Sequence, residues 1–194
     1  MIREFEILKS YSLKAESSFA RPVQVLPEKV KLDDPAILAL TDFNKVSLVV
    51  ARPTLLLEVA NSKMIRYGVR ALIVLNSNDQ VAGLLTASDI LGEKQMRFLQ
   101  NMGGTHADIM VRDIMTPQHE LEFMKIEDVQ NACVGQIVAT LKKAGRQHGL
   151  VVSDGADGKQ TVCGIFSLTQ IAKLLGSPLD HVLAEIESVV VHSA

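Results

Sequence analysis

The amino-acid sequence predicts an α/β fold in which one unit, with the order strand, helix, strand, strand, helix, occurs twice within a single module. Residues 83–89 (GLLTASD) and 164–170 (GIFSLTQ) are the clearest copies, because each completes a pair of apolar runs and leads a hydroxyl residue into an amphipathic segment. The copies differ mainly in the preceding turn, where residues 153–161 replace the shorter 76–80. An insertion confined to a turn leaves a structural unit intact, so the pattern indicates a duplication.

The composition favours a globular protein with a sizeable core. The chain has 194 residues, of which 47% are hydrophobic, and its 20 basic and 22 acidic side chains give a formal charge of −2. No block of like charge stands out, so we expect neither a nucleic-acid partner nor a membrane partner. The N-terminus lacks the apolar core of a signal peptide, and no apolar run is long enough to span a bilayer, which favours a soluble cytoplasmic protein.

Chemistry-bearing residues are sparse. The two cysteines, Cys133 and Cys163, lie in apolar segments without Cys-x-x-Cys spacing, so we expect buried, reduced thiols and neither a disulfide nor a metal site. The histidines show no paired metal-ligand spacing. No nucleophile elbow or phosphate-binding glycine loop is present, so we expect neither an enzyme nor a resident cofactor.

Residues 1–34 predict an extended N-terminal arm, because their polarity is mixed and Pro22 and Pro27 interrupt any regular element. The first repeat follows at residues 35–104. Capping residues and apolar periodicity define its expected elements. These are a short helix near Pro35, a strand over 46–50, a helix from Pro53 to Gly68, hairpin strands over 72–75 and 81–85, and a helix from Ala87 to about Gln100.

The second repeat, residues 105–194, follows the same plan and adds a C-terminal helix. Residues 109–115 predict a strand that connects the repeats. The remaining expected elements are a strand over 121–124, a helix with its apolar face between Val134 and Leu141, hairpin strands over 150–152 and 162–166, a helix over 168–175 and a final helix from Pro178.

Each copy of the motif places a hydroxyl residue three positions before a polar side chain at the start of a helix: Thr86 before Asp89, and Ser167 before Gln170. This spacing is typical of a capping box, so each pair has a purely structural interpretation. A helix N-terminus also presents unpaired amides and the positive end of the helix dipole, so the same geometry suits an anionic ligand. Both interpretations are open at this stage.

Three stretches carry a resemblance to a known family: residues 68–91 (GVRALIVLNSNDQVAGLLTASDIL), 111–117 (VRDIMTP) and 149–171 (GLVVSDGADGKQTVCGIFSLTQI). Together they resemble a pair of cystathionine β-synthase (CBS) domains, known as a Bateman module, in its stand-alone bacterial form. The resemblance implies two pseudo-symmetric CBS repeats that pack through their sheets. It also implies two clefts that often bind adenosine-containing ligands such as AMP, ADP, ATP or S-adenosylmethionine.

The resemblance also implies roles for individual residues. In the family, the hydroxyl residue of the motif contacts ribose or phosphate and the acidic residue three positions later holds the ribose hydroxyls; Thr86 and Asp89 match both. Ser167 matches in part, and Gln170 replaces the acidic residue. Because a carboxylate makes charge-assisted hydrogen bonds, the cleft around Thr86 and Asp89 (the first cleft) is expected to bind an adenosyl ligand at least about tenfold tighter than the cleft around Ser167 and Gln170 (the second cleft).

Further ligand contacts are implied for Arg70 and His148, which precede the second strand of each repeat, where basic residues often reach phosphates in relatives. Thr116 lies in the linking segment, at a position that sometimes contacts the ligand. From the residues alone, Arg70 is equally well a solvated charge that complements a helix C-terminus, and His148 a half-buried polar residue.

The leading hypothesis is a regulatory module that senses an adenosine-containing metabolite and modulates a partner protein that the sequence does not identify. The alternative is a ligand-free scaffold for protein–protein interaction. The resemblance further implies a homodimer formed through the helices that begin at Ala87 and Leu168. Apolar residues on these helices favour that arrangement: Ile90, Leu91, Leu99, Ile171, Leu174 and Leu175.

Overall fold

The elements of the protein follow the repeated plan. The computed structural model describes Ser12 and residues 23–155 and 158–192. Its strands are β1 (Thr41–Asp42), β2 (Val50–Ala51), β3 (Ala71–Leu75), β4 (Val81–Thr86), β5 (Thr116–Pro117), β6 (Phe123–Lys125), β7 (His148–Asp154) and β8 (Gln160–Ser167). Its helices are α1 (Leu57–Tyr67), α2 (Ala87–Leu91), α3 (Lys94–Met102), α4 (Val111–Ile114), α5 (Ile126–Gln130), α6 (Val134–Lys143), α7 (Leu168–Leu175) and α8 (Leu179–His192). Short 3₁₀ turns include Ala36–Ala39.

Two four-stranded sheets have the same architecture. The first sheet has the strand order β2-β3-β4-β5, and the second has the order β1-β8-β7-β6. In each, a short strand pairs in parallel with the first strand of a hairpin, and the hairpin's second strand pairs antiparallel with another short strand. The predicted α/β fold with two equivalent β-α-β-β-α units is therefore confirmed.

The short antiparallel edge strands are exchanged between the repeats. β1 precedes the first repeat's other strands yet lies in the second sheet, and β5 lies in the first sheet although it belongs to the segment that leads into the second repeat. The motif glycines permit this close approach. A Cβ atom on Gly83 would lie 2.5 Å from the Thr116 carbonyl oxygen, and one on Gly164 would lie 2.9 Å from that of Thr41. Only a residue without a side chain fits at these two positions.

Alternation along the strands divides the core into three clusters of described residues. On β3, Leu72 and Val74 pack against the helices of the first repeat, whereas Ile73 faces the other way. On β7, Val151 packs with the helices of the second repeat, and Leu150 joins Ile73 and Leu84 in the cluster between the sheets. The two sheets therefore pack against each other directly, with helices on their outer faces.

Most of the predicted arm lies outside the described residues, namely residues 1–11 and 13–22. Residues 23–34 form no helix or strand. They contact the second repeat, where the Val30 amide donates to the Leu174 carbonyl at 3.0 Å. They also contact the segment around β1, where the Gln24 side chain donates to the Leu40 carbonyl at 2.7 Å and accepts from the Asp42 amide at 2.9 Å. The boundaries 1–34, 35–104 and 105–194 stay predictions.

The strand predicted over residues 109–115 is wrong. These residues instead form the short helix α4, and only Thr116–Pro117 pair as a strand. Asp113 accepts the Met110 amide at 2.8 Å, which closes a helical turn, while Ile109 and Val111 are fully buried. The apolar residues that suggested a strand are thus buried by a turn of helix.

Other elements differ in extent. The strand predicted over 46–50 is reduced to Val50–Ala51, and the helix predicted from Pro53 begins at Leu57. The helix predicted from Ala87 to Gln100 is interrupted at Gly92 and Glu93, which separate α2 from α3. The helix over 168–175 has the predicted bounds.

The apolar residues of α7 that favoured a dimer contact are largely buried within the chain itself. Ile171 and Leu174 are buried at 0% and 5% exposure, in a core that includes Val182 and Ile186 of α8. On the α2 side, Ile90 is also buried, and Leu91 is 77% exposed. The C-terminal helix α8 therefore covers the apolar side of α7 in the second repeat, whereas Leu91 of α2 in the first repeat stays exposed. None of the helices among the described residues is long and apolar enough to cross a membrane.

Candidate functional site

The first copy of the motif forms a complete capping box. Thr86 ends β4, and its hydroxyl oxygen accepts the Asp89 amide at 3.2 Å. In return, the Asp89 oxygen Oδ2 accepts the Thr86 amide at 2.8 Å and the Thr86 hydroxyl at 2.7 Å. The capping-box interpretation of Thr86 and Asp89 is therefore confirmed. These hydrogen bonds hold the Asp89 carboxylate in place, and the Asp89 side chain is only 12% exposed.

Lys94, a residue that the motif does not predict, pairs with the other oxygen of Asp89. Its ammonium lies 2.6 Å from Asp89 Oδ1, 3.3 Å from the Ile114 carbonyl oxygen and 3.5 Å from Thr116 Oγ1. Lys94 thus connects the start of α3 to the motif and to the segment that links the repeats. The only signal for it in the sequence is a cation five positions after Asp89, just past the glycine that ends α2.

The second copy of the motif forms no capping box, which corrects the capping interpretation of Ser167 and Gln170. Ser167 precedes α7 but makes no side-chain cap hydrogen bond. Its ψ is 125°, compared with 160° at Thr86, so the two peptide planes are oriented differently at the start of the helices. Neither the Ser167 hydroxyl nor the Gln170 amide has a hydrogen bond to another described residue. Both polar groups are available to a ligand.

The predicted site residues lie in two cavities between the repeats. The first cleft has a volume of about 580 Å³ and contains Thr86, Asp89 and Thr116 together with His148 from the second repeat. The second cleft has a volume of about 240 Å³. It contains Ser167 and Gln170 of the second repeat, Arg70 of the first repeat and again His148. Each cleft therefore combines the motif of one repeat with the residue that precedes or opens a central strand of the other.

His148 lies between the clefts and lines both. It opens β7 opposite Ser167, and its Nδ1 atom is buried without a hydrogen-bond partner among the described residues. The pKa of His148 is lowered from 6.5 to about 4, chiefly by burial and to a smaller extent by the Arg70 charge, while the Asp89 carboxylate opposes the shift. The imidazole is consequently neutral at pH 7.

The clefts differ in charge. In the first, three acidic and three basic side chains pair with each other, and a further carboxylate, Glu120, also lines the wall. The pairs are Lys94 with Asp89 at 2.6 Å, Arg97 with Glu93 at 2.7 Å and Arg146 with Glu122 at 3.4 Å. In the second, Arg70 is the permanent charge, and no Asp or Glu of the described residues lines the wall. Much of that wall is apolar, with Phe43, Leu48, Ile73 and Ile165 among its residues.

Two interleaved β-α-β-β-α repeats with a cleft on each side define a tandem-repeat α/β module. Residues 40–95, within the first repeat, match the family model of the CBS domain. Over that segment the chain is similar to a CBS domain, and its two repeats have the fold of a CBS pair, as the resemblance predicted. No curated protein matches the sequence.

Solved structures with this fold come from distant organisms. An uncharacterized conserved protein from Pyrococcus horikoshii is 24% identical with a TM-score of 0.53, over 74% of this chain and 93% of that one. A putative signal-transduction protein with CBS domains from Burkholderia ambifaria is 20% identical with a TM-score of 0.50, over 66% and 81%. CBSX2, a CBS-pair protein of Arabidopsis thaliana, in complex with AMP is 19% identical with a TM-score of 0.50, over 72% and 93%. At these identities the likeness shows the fold.

Proposed function

We propose that this protein is a regulatory module that binds an adenosine-containing metabolite, of the AMP, ADP, ATP or S-adenosylmethionine class, and thereby modulates a partner protein. The observation that carries the proposal is the composition of the clefts. Each takes its motif hydroxyl from one repeat and a residue beside a central strand from the other, as with Ser167 and Arg70 in the second cleft. The CBSX2 structure, which contains AMP, supports the same class of ligand.

A ligand that contacts both repeats can change how the two repeats are arranged. Its binding energy depends on how the two repeats sit relative to each other, so it favours one arrangement over others. Arg70 and His148 line the clefts near the motif hydroxyls and would select the polar part of the ligand. The apolar wall of the second cleft, which includes Phe43 and Leu48, would suit a base. No step of chemistry is required of the protein.

We also propose that the protein forms a homodimer, through the outer face of the first repeat. Ile65 of α1 is 74% exposed, Leu91 of α2 77% and Met96 of α3 59%, and α2 adjoins both α1 and α3. Exposed apolar side chains gathered on neighbouring helices are typical of an association surface. Light scattering at micromolar concentration should give twice the mass of the 21.2 kDa chain. A monomer mass with and without ligand would refute this assembly.

One observation favours the alternative, a ligand-free scaffold. The Asp89 carboxylate already accepts bonds from Thr86 and pairs with Lys94, so its structural role is complete without a ribose. A cytoplasmic location, with neither nucleic acid nor membrane as partner, stays a prediction for both hypotheses.

A thermal-shift screen distinguishes the two hypotheses. The panel is AMP, ADP, ATP, S-adenosylmethionine, NAD and cyclic dinucleotides, with calorimetry for any compound that responds. A ligand that binds only the native state stabilises it by about 2.7 kcal/mol at a hundredfold excess over Kd, and the melting temperature rises accordingly. A response to at least one adenosine-containing compound supports the regulatory module. No shift with any of them would favour the scaffold.

A further inference from the structure

Helix α3 packs on the first repeat without a fully buried side chain. Its residues Phe98 and Leu99 contact the core of that repeat but stay partly exposed. By contrast, α1 contributes Leu57, Ala60 and Met64 to the same core, and all three are buried. Few buried apolar contacts mean a low free energy of local opening, so α3 can open at a lower cost than α1.

Glycines interrupt the chain at both ends of α3. Gly92 separates α3 from α2, and a Cβ atom at this position would lie 2.7 Å from the Ser88 carbonyl oxygen, so the break requires a glycine. At the other end, Gly103 and Gly104 have φ values of 71° and 91°, which residues with side chains rarely adopt. Neither end of α3 therefore continues into a helix whose hydrogen bonds would fix its position.

Lys94, the first residue of α3, connects the helix to the rest of the first repeat. Its ammonium lies 2.6 Å from Asp89 Oδ1. It also approaches the Ile114 carbonyl oxygen at 3.3 Å and Thr116 Oγ1 at 3.5 Å. One side chain therefore joins α3 to the motif, to α4 and to β5.

The ion pair between Lys94 and Asp89 differs in kind from the other polar contacts of α3. Gln95 donates to the Ile90 carbonyl oxygen and approaches His106, but Gln95 carries no charge. Hydrogen bonds between charged groups are about twice as strong as neutral ones, and the Asp89 side chain is only 12% exposed, which limits screening by water. Loss of the ion pair should therefore loosen α3, while Gln95 keeps the helix near its place.

A ligand that uses the Asp89 carboxylate has to compete with Lys94. Asp89 Oδ2 already accepts two hydrogen bonds, from the amide and the hydroxyl of Thr86. A carboxylate oxygen has two lone-pair sites, so a ribose hydroxyl must bond to Oδ1, where the Lys94 ammonium lies. Occupation of the carboxylate by a ligand therefore weakens the connection between α3 and the motif.

Helix α3 has one side toward the first cleft and another toward the surface. Glu93, Lys94 and Arg97 line the cleft. Met96 is 59% exposed and belongs to the surface proposed for the homodimer. A displacement of α3 would therefore move part of that surface.

We infer that Lys94 is a regulatory tether: its ion pair with Asp89 holds α3 in place, and a ligand that takes the Asp89 carboxylate releases α3 together with Met96 on its outer side. This inference rests on the proposed function and adds to it how occupation of the first cleft reaches the surface of the molecule. Lys94 acts through Asp89 and is a positioning residue.

The test begins with hydrogen exchange of the α3 amides in the full chain without ligand. Lys94→Gln should raise exchange over residues 94–102 at least about fivefold, because the charge-assisted bond to Asp89 is lost. The sign is informative: a lysine at a helix N-terminus opposes the helix dipole, so its removal would by itself slow the exchange. The control is Arg97→Gln, whose partner Glu93 directly precedes the same helix, and its exchange should stay within about twofold of the parent.

Asp89→Asn removes the same ion pair from the other side. The asparagine keeps an oxygen for the Thr86 amide but loses the charge, so α3 exchange should rise as in Lys94→Gln. The double variant should show no further rise, because both substitutions remove one interaction. The melting temperatures are checked first, since Asp89 also belongs to the capping box. If both single variants exchange like the parent over α3, the inference is wrong.

AMP, ATP and S-adenosylmethionine then test the link to the first cleft. A compound of these three that raises the melting temperature of the parent should also raise α3 exchange. In calorimetry it should bind Lys94→Gln at least about threefold tighter than the parent, because no cation has to be displaced from Asp89.

The other outcomes decide against the inference in different ways. Weaker binding to Lys94→Gln would make Lys94 a ligand contact, and binding that leaves α3 exchange unchanged would mean that the compound does not use Asp89. Either result overturns the inference and leaves the proposed function intact. If none of the three compounds binds, release by a ligand fails together with the proposed function, whereas the exchange of the two single variants still decides whether Lys94 holds α3.

Discussion

Protonation of His148, which is neutral and half-buried in the folded protein, should make the free energy of unfolding depend on pH, and one substitution should remove this dependence. Burial lowers the pKa of His148 from 6.5 to about 4, with the nearby Arg70 charge acting in the same direction. In the unfolded chain the imidazole takes up a proton near pH 6.5, whereas the folded protein resists it until about pH 4. Between these values the unfolded state binds more protons, so the free energy of unfolding falls as the pH is lowered.

The magnitude follows from the two pKa values. At pH 7 the effect is negligible, and at pH 5 the unfolded histidine is almost fully protonated while the folded one is still neutral. One pKa unit corresponds to about 1.4 kcal/mol, so His148 should account for roughly 2 kcal/mol of stability lost between pH 7 and pH 5. Below about pH 4 the folded histidine also takes up its proton, and this contribution levels off.

The assay is urea unfolding followed by circular dichroism at pH 7, 6 and 5, for the parent and for His148→Gln. Carboxylates titrate in both proteins, so the difference between the two pH profiles isolates His148. We expect His148→Gln to lose about 2 kcal/mol less than the parent between pH 7 and pH 5. The control is His119→Gln, since the His119 side chain is 78% exposed, and it should follow the parent profile. Parallel profiles for His148→Gln and the parent would refute the argument.

Three further predictions concern the motif and the thiols. Gly83→Ala should destabilise the fold by about 1–3 kcal/mol in urea unfolding, because its Cβ would lie 2.5 Å from the Thr116 carbonyl oxygen. The control is Gly135→Ala, whose Cβ would have its nearest contact at 3.4 Å and which should be close to neutral. Equal effects of the two substitutions would contradict the role given to Gly83. Asp89→Ala should lower the free energy of unfolding by about 1–2 kcal/mol through loss of the capping box, whereas Gln170→Ala should change it little. A large loss of stability in Gln170→Ala would contradict the absence of a cap hydrogen bond in the second copy of the motif. Cys163 should react with thiol reagents more slowly in the native than in the unfolded protein, because it is partly buried and burial raises the pKa of its thiol; labelling at the unfolded rate would contradict this.

The repeated hairpins and the helices that follow them could be predicted from the sequence because they are local. The apolar runs around 71–75 and 81–86 pair across a short turn, and the helix over 168–175 runs from a hydroxyl residue to a glycine. The two-residue strands could not be predicted in the same way. β1 and β5 exist because distant strands, β8 and β4, offer them partners, and two residues carry no periodicity of their own.

The candidate site shows the same division between local and long-range information. The motif identified Thr86 and Asp89 and predicted their mutual hydrogen bonds, because the partners are three residues apart. It did not identify Lys94, whose position depends on the break in the helix at Gly92. The thiols were predicted to be buried, yet both are only partly so, since an apolar neighbourhood in sequence does not determine which side of an element faces solvent.

The exchanged edge strands have a consequence for how the molecule comes apart. A cut between residues 104 and 105 separates the two repeats of the sequence. The N-terminal fragment then keeps β1 but lacks the second sheet, in which β1 pairs, and the C-terminal fragment keeps β5 but lacks the first sheet, in which β5 pairs. Each fragment would then expose an unpaired strand edge beside a motif glycine, a surface prone to aggregation. We therefore expect the two halves to unfold in one cooperative transition, and to recover a native fold after cleavage only when both are present together.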